Sequence, residues 1–113
     1  MQLKRSSVES YSGGRIENIV YNELLSRGYD IYVGKTINGE IDFIVDNFGD
    51  ISYIQVSERL ASPEVIEREF GAYKNIMDNY PKYVISNDYL DYSRNGIKHV
   101  NLIDFLINED ILK

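Results

Sequence analysis

A chain of 113 residues, 43% of them hydrophobic and 27% charged, suits one soluble globular domain with a single core. It has no cysteine, which excludes disulfides and thiolate metal sites, and its formal charge of −6 argues against autonomous binding to the phosphates of nucleic acid. No apolar run approaches the ~20 residues of a membrane span, and the polar start from Met1 to Gly14 lacks the apolar segment of a signal peptide, so the expected location is the cytoplasm.

Residues 1–12 are serine-rich with little hydrophobic periodicity and read as a linker or an arbitrary start, which leaves 13–113 as the domain. From Gly14 to Arg27 the apolar positions Ile16, Ile19, Val20 and Leu24 recur at helical spacing, and Gly28 stands where a C-terminal cap belongs. Three strands in a meander follow, over 29–35, 40–46 and 51–57. Asn38-Gly39 marks the first turn and the segment from Asp46 to Asp50 the second. Ser62-Pro63-Glu64 supplies an N-cap, a proline at the first helical position and an acid in the first turn of a second helix running to about Asn79. Val65, Ile66, Glu69, Phe70, Tyr73 and Met77 fall on one broad face of that helix. Pro81 bounds it. A short strand over 82–86, a weaker one over 97–100 and a terminal helix over 102–108 complete the order.

The chemistry-bearing residues concentrate in the middle strands. Alternation places Ile41, Phe43 and Val45 on one face of their strand and Glu40, Asp42, Ile44 and Asp46 on the other. An exposed polar face explains this pattern, but Ile44 among the acids points to a covered face, where Asp42 needs a partner, a metal or a raised pKa. Gln55, flanked by Ile54 and Val56, is expected to be hydrogen-bonded in the interior. Glu17 falls within the apolar arc of the first helix, and Glu23 lies near Ile16 and Ile19 by the same arithmetic, so helical angle alone does not separate a functional acid from a rim carboxylate. Glu69 and Tyr73, four apart, share a helix face. His99 is the chain's single histidine and has no second ligand of its type for zinc. No phosphate-binding Gly-x-x-x-x-Gly-Lys-Ser/Thr loop and no Gly-x-Ser-x-Gly elbow occurs. Ten tyrosines against no tryptophan fit strand and core-edge packing, or a tyrosine-rich protein interface.

Taken together, Gly14 to Leu24, Arg27-Gly28-Tyr29, Gly39 to Val45, Tyr53-Ile54-Gln55-Val56, Arg68-Glu69-Phe70 and Tyr80 to Ser86 resemble the C-terminal domain found after the ATPase core in a group of prokaryotic AAA-type ATPases. That domain is similar to the PD-(D/E)XK, or restriction-endonuclease-like, fold. The resemblance implies an α/β protein with an αβββαβ core, a central mixed sheet flanked by helices, and the ATPase core of a parent protein as partner. It also implies a site in which Glu17 matches a helical acid, Asp42 a metal-binding Asp, Gln55 a second-strand acid, Ser57 a catalytic Lys, and Glu69 with Tyr73 a Gln-x-x-x-Tyr element. The implied cofactor is Mg²⁺ or Mn²⁺, held by Asp42 and Gln55. Gln55 brings no charge to a metal and Ser57 no ammonium to a phosphate, and each loss is expected to cost roughly 10²-fold in cleavage. The expected function is a nuclease-like accessory domain without catalysis, serving regulation or partner binding. The alternative is a weak metal-dependent nuclease acting on DNA or RNA.

Overall fold

The computed structural model describes residues 2–5 and 14–112. Its elements run β1 (Gln2–Arg5), α1 (Arg15–Ser26), β2 (Asp30–Thr36), β3 (Gly39–Asn47), β4 (Asp50–Val56), α2 (Pro63–Gly71), β5 (Lys82–Ser86), β6 (Lys98–Asn101) and α3 (Leu102–Ile107). The six strands form one mixed sheet in chain order, antiparallel from β1 to β4 and parallel from β4 to β6. The expectation of an α/β domain with a central mixed sheet flanked by helices is met. One expectation at the start is corrected: Gln2–Arg5, read as linker, pair with β2 as an edge strand, because the backbone of β2 offers a row of free donors and acceptors there.

Each face of the sheet carries its own apolar cluster. Ile16, Val20, Tyr21 and Leu24 of α1 and Phe105 of α3 pack with Phe43, Val45, Ile54, Val56, Ile85 and Val100 on one face. Phe70 of α2, with Leu60 and Tyr73, packs with Ile41, Ile44, Tyr53, Val84 and Ile97 on the other. The strict alternation read for β3 therefore fails at Ile41, which lies with Ile44 instead of with Phe43 and Val45. The cause is a register shift. Tyr32 pairs with Ile44 and Gly34 with Ile41, so Asp42 and Phe43 together oppose Val33 as a β-bulge.

The α1 helix ends as its sequence dictates. Gly28 takes φ +82°, and the N–H groups of Gly28 and Tyr29 donate to the carbonyls of Leu25 and Leu24. The α2 helix starts at the expected cap, Ser62 accepting from the Val65 N–H at 3.2 Å, but it stops at Gly71 and not near Asn79. Beyond Gly71 the chain tightens into three-residue turns (Tyr73 to Phe70, Lys74 to Gly71, Ile76 to Tyr73) and Asn75 goes left-handed, while the Tyr73 hydroxyl is drawn down onto the Tyr83 carbonyl at 2.6 Å. Met77, expected on the buried helical face, is exposed as a result.

Arg27 ties the C-terminal part of the chain to α1. Its guanidinium, 7% exposed, bonds the Glu23 carboxylate at 2.8 Å and donates to the carbonyls of Phe105 at 2.6 Å and Ile111 at 3.1 Å, lying 4.5 Å from the Phe105 ring centroid. Arg27→Ala strands these acceptors in a part-buried setting, and a loss of about 3 kcal/mol in unfolding free energy is expected. Urea denaturation of both proteins checks this; an unchanged midpoint would remove Arg27 from the clamp.

Candidate functional site

The candidate site lies where β3 and β4 part. Their ladder runs from Asn47↔Asp50 to Phe43↔Ile54 and goes no further, because the bulge at Asp42 turns β3 away while β4 continues beside β5. Side chains take over the bonding in the gap. The buried Gln55 amide accepts from the Asp42 N–H at 2.6 Å through Oε1 and donates to the Glu40 carbonyl at 3.0 Å through Nε2. In the other direction, the Asp42 carboxylate accepts from the Val56 N–H at 2.8 Å. The expectation that Gln55 is bonded in the interior is met.

Around this bridge the structure gathers further carboxylates. Asp42 is pushed up to about 7, chiefly because burial disfavours its charge, with Glu69, Glu17 and Glu40 adding repulsion against the favourable Val56 N–H. Glu69, buried on α2, is also raised by burial and by Glu17; the exposed Arg68, 3.3 Å away, opposes the shift. Glu17 sits at the start of α1, where its carboxylate reaches back to accept from the N–H of the N-cap residue Gly14 at 3.3 Å. Glu40 is exposed on the bulge side and approaches Lys35 at 3.7 Å, so the shared side read for Glu40 and Asp42 separates into a solvated acid and a covered one.

Tyr73 is fully enclosed. Burial first, and then the Asp42 and Glu69 carboxylates, hold its phenol well above the usual range. It lies in the turn after α2, not on the helix beside Glu69 as its spacing suggested, yet the turn keeps the two within electrostatic reach. Ser57, placed by resemblance where a lysine would act, donates to the Arg59 carbonyl at 3.1 Å while its N–H joins the Ile85 carbonyl at 2.9 Å. The structure thus brings Glu17, Asp42, Glu69 and Tyr73 within mutual electrostatic influence. It assigns Gln55 and Ser57 to backbone bonding.

Much of the donor set is already engaged in bonds within the protein. Gln55 has both ends of its amide committed, Asp42 gives an oxygen to Val56, and the Ser57 hydroxyl is turned to its own loop. Among the described residues no group of three or more His, Cys, Asp or Glu side chains is placed to hold a metal ion.

A second polar cluster was not legible in the sequence. Ser86 and His99 face each other across the parallel β5–β6 pair, Oγ to Nε2 2.7 Å, and Ser86 donates on to Asp88 at 2.8 Å. The His99 Nδ1 accepts from the Tyr92 N–H at 3.2 Å, so Nε2 carries the proton and donates to Ser86. Asp88 also caps the Leu60 N–H at 2.7 Å. With Ser86 completely buried, the order Asp, Ser, His presents no nucleophile to a substrate; it fastens the loop after β5 to the sheet. Only long-range pairing could have revealed it, although the Asn95-Gly96 dipeptide does signal the left-handed turn that folds this loop back.

The chain matches no protein-family model and no solved structure. It is 39% identical over 94 residues to an uncharacterized protein of Haemophilus influenzae, a stretch that makes up 82% of this chain and 23% of that protein. No helix among the described residues is long and apolar enough to cross a membrane.

The pKa of Asp42 yields a test with a definite sign. A carboxyl raised from 3.8 to about 7 binds its proton more tightly when folded, so its contribution to stability is complete below pH 3.8 and is lost as pH rises through 7. Asp42→Asn keeps an acceptor for Val56 without the charge. At pH 8 the variant is expected to be more stable than the parent by about 2–4 kcal/mol, and near pH 3.5 by almost nothing. Denaturant melts across this range check it; a constant difference would show that the pKa of Asp42 does not change on folding. His99, lowered by burial, works in the opposite sense, losing stability as pH falls below its unfolded value, and cancels in the comparison.

Proposed function

We propose that this chain is a nuclease-like accessory domain, of the kind that follows the ATPase core in AAA-type proteins, whose metal centre has become a structural bridge and whose role is regulation or partner binding. The observation that carries the reading is the double hydrogen bond of the Gln55 amide to β3, on either side of Asp42. A glutamate at that position has no N–H to give the Glu40 carbonyl; a glutamine does. The element order α1-β2-β3-β4-α2-β5 is the αβββαβ order of the restriction-endonuclease-like core, which supports the frame. The homologous stretch forms 23% of a longer relative, which supports a module in a larger protein. The acidic charge favours protein partners over nucleic acid.

A weak Mg²⁺- or Mn²⁺-dependent nuclease is the second reading. It is favoured by the convergence of Asp42, Glu17 and Glu69 with a raised Asp42 pKa, a pattern that collects at functional sites.

The two readings part on Gln55→Glu. On the accessory reading the variant loses about 1–3 kcal/mol without metal, because Glu40 loses its donor and a second carboxylate meets Asp42, and it regains stability in millimolar Mn²⁺ while the parent does not respond. Thermal melts with and without Mn²⁺, alongside calorimetric titration of the parent and of Asp42→Ala, check this. Mn²⁺ binding by the parent that Asp42→Ala abolishes, with cleavage of single- or double-stranded DNA, would replace the first reading with the second. Adding Ser57→Lys to Gln55→Glu and recovering cleavage would mark the scaffold as an intact frame with lost chemistry.

A further inference from the structure

Far along the sheet from the carboxylates, at the β6 edge, the surface is apolar. Tyr89 and Leu90 in the loop after β5 are 89% and 71% exposed, and Ile103 and Ile107, one turn apart on α3, are 52% and 75% exposed. Tyr89, Leu90 and Ile107 line a groove of about 460 Å³ between that loop and α3. Single exposed apolar side chains are ordinary on protein surfaces; three large ones lining one groove, with Ile103 a helical turn away, mark a contact surface.

The charge of the groove selects its occupant. Its lining includes Asp88, Asp91 and Asp104 against Lys98 alone, and the adjoining His99 is held neutral by burial and by the Tyr92 N–H. A second copy docked face to face would set these aspartates against one another, which opposes self-association through this surface. Strand addition is also disfavoured. The outer side of β6 is already engaged, with Ile97 and Arg94 exchanging backbone bonds and the His99 N–H donating to Ser93 Oγ at 2.8 Å. What fits is a segment that inserts aliphatic side chains between Leu90 and Ile107 and sets basic residues against the acidic rim.

We propose that the groove between the β5–β6 loop and α3 is the docking surface of this domain for a basic, aliphatic protein segment. The inference rests on the partner-binding reading above and supplies its surface and the chemistry of its partner.

The test is fluorescence anisotropy of a labelled Lys-Leu-Leu-Lys-Leu-Leu-Lys peptide titrated with the intact chain, with the peptide carrying glutamate in place of lysine as comparison. The lysine peptide is expected to bind at least ~10-fold more tightly than the glutamate one, with affinity falling as salt is raised. Leu90→Ser with Ile107→Ser should weaken it by ~10-fold or more without changing the thermal melt, since both side chains are exposed, and Asp104→Asn by a few-fold. Phe48→Ser, at a fully exposed apolar residue on the β3–β4 turn, should leave binding unchanged. Equal binding by the Leu90/Ile107 variant, equal binding of both peptides, or an equal loss with Phe48→Ser would overturn the proposal. So would a dimer, seen by light scattering, that the Leu90/Ile107 variant abolishes. The two readings fail separately: DNA cleavage by the parent removes the accessory reading and leaves the peptide result standing, whereas absent peptide selectivity removes this surface and leaves the Mn²⁺ result on Gln55→Glu untouched.

Discussion

The parting of β3 from β4 beyond Phe43 and Ile54 is the constraint on which the rest of the structure turns. Two strands that separate inside a protein leave backbone N–H and C=O groups without partners, and such groups cost free energy comparable to a lost hydrogen bond unless something else satisfies them. Here the Gln55 amide serves an N–H and a carbonyl of β3, and the Asp42 carboxylate serves an N–H of β4. The bulge that turns β3 away also moves Ile41 onto the α2 face, so it fixes both the gap and the composition of the second core. A metal centre in the same gap would need the oxygens that the backbone now holds. Structural satisfaction and ligation would compete for the same atoms, of which Gln55 Oε1 and one oxygen of Asp42 are bonded to backbone N–H groups.

The charge balance follows from that choice. Burial raises both Asp42 and Glu69, and the two carboxylates add repulsion to each other and from Glu17. Protonation of Asp42 near neutral pH relieves this without breaking its bond from Val56, because a neutral carboxyl still accepts. Arg68 is the cation nearest Glu69, but it is mostly exposed and its pairing is weakened by solvent. Across the sheet, at β5 and β6, the balance is reversed. The His99 ring is kept neutral and its network through Ser86 and Asp88 holds together best above the range where histidine protonates, so the two ends of the sheet respond to pH with opposite signs.

Local rules carried much of the fold. Period and caps located α1, with Gly28 closing it, and Ser62-Pro63 opened α2; turn residues and alternation located the β2–β4 meander, and the apolar run at 82–86 located β5. What failed was set by distant contacts. The end of α2 depends on the Tyr73 phenol reaching Tyr83, the face of Ile41 on a bulge opposite Val33, and the Gln2–Arg5 strand on the free edge of β2. At the site, the burial of Gln55 was readable from its apolar neighbours, whereas its partners across the sheet were not. The alternation that put Asp42 on a covered face gave the right environment even though the bulge changed the strand's pattern. Residues 6–12, read as linker, lie outside the described residues.

The domain therefore separates two properties along one sheet. The gap beside Asp42 is lined with covered acids whose bonds are turned inward, so a ligand entering it must replace backbone partners already satisfied, which costs affinity. The groove at the β6 edge has the opposite character. Its aliphatic side chains Leu90 and Ile107 are exposed, its rim acids Asp91 and Asp104 stand in solvent, and the loop that forms one wall is fastened from beneath by Asp88 and by the Asn101 amide, which donates to the Asn87 and Asp88 carbonyls at 3.3 and 3.1 Å. A fastened wall needs little ordering on contact, and the area it offers is hydrated apolar surface whose removal from water is favourable. On energetic grounds the association proposed for this chain is better served by the β6 edge than by the gap beside Asp42.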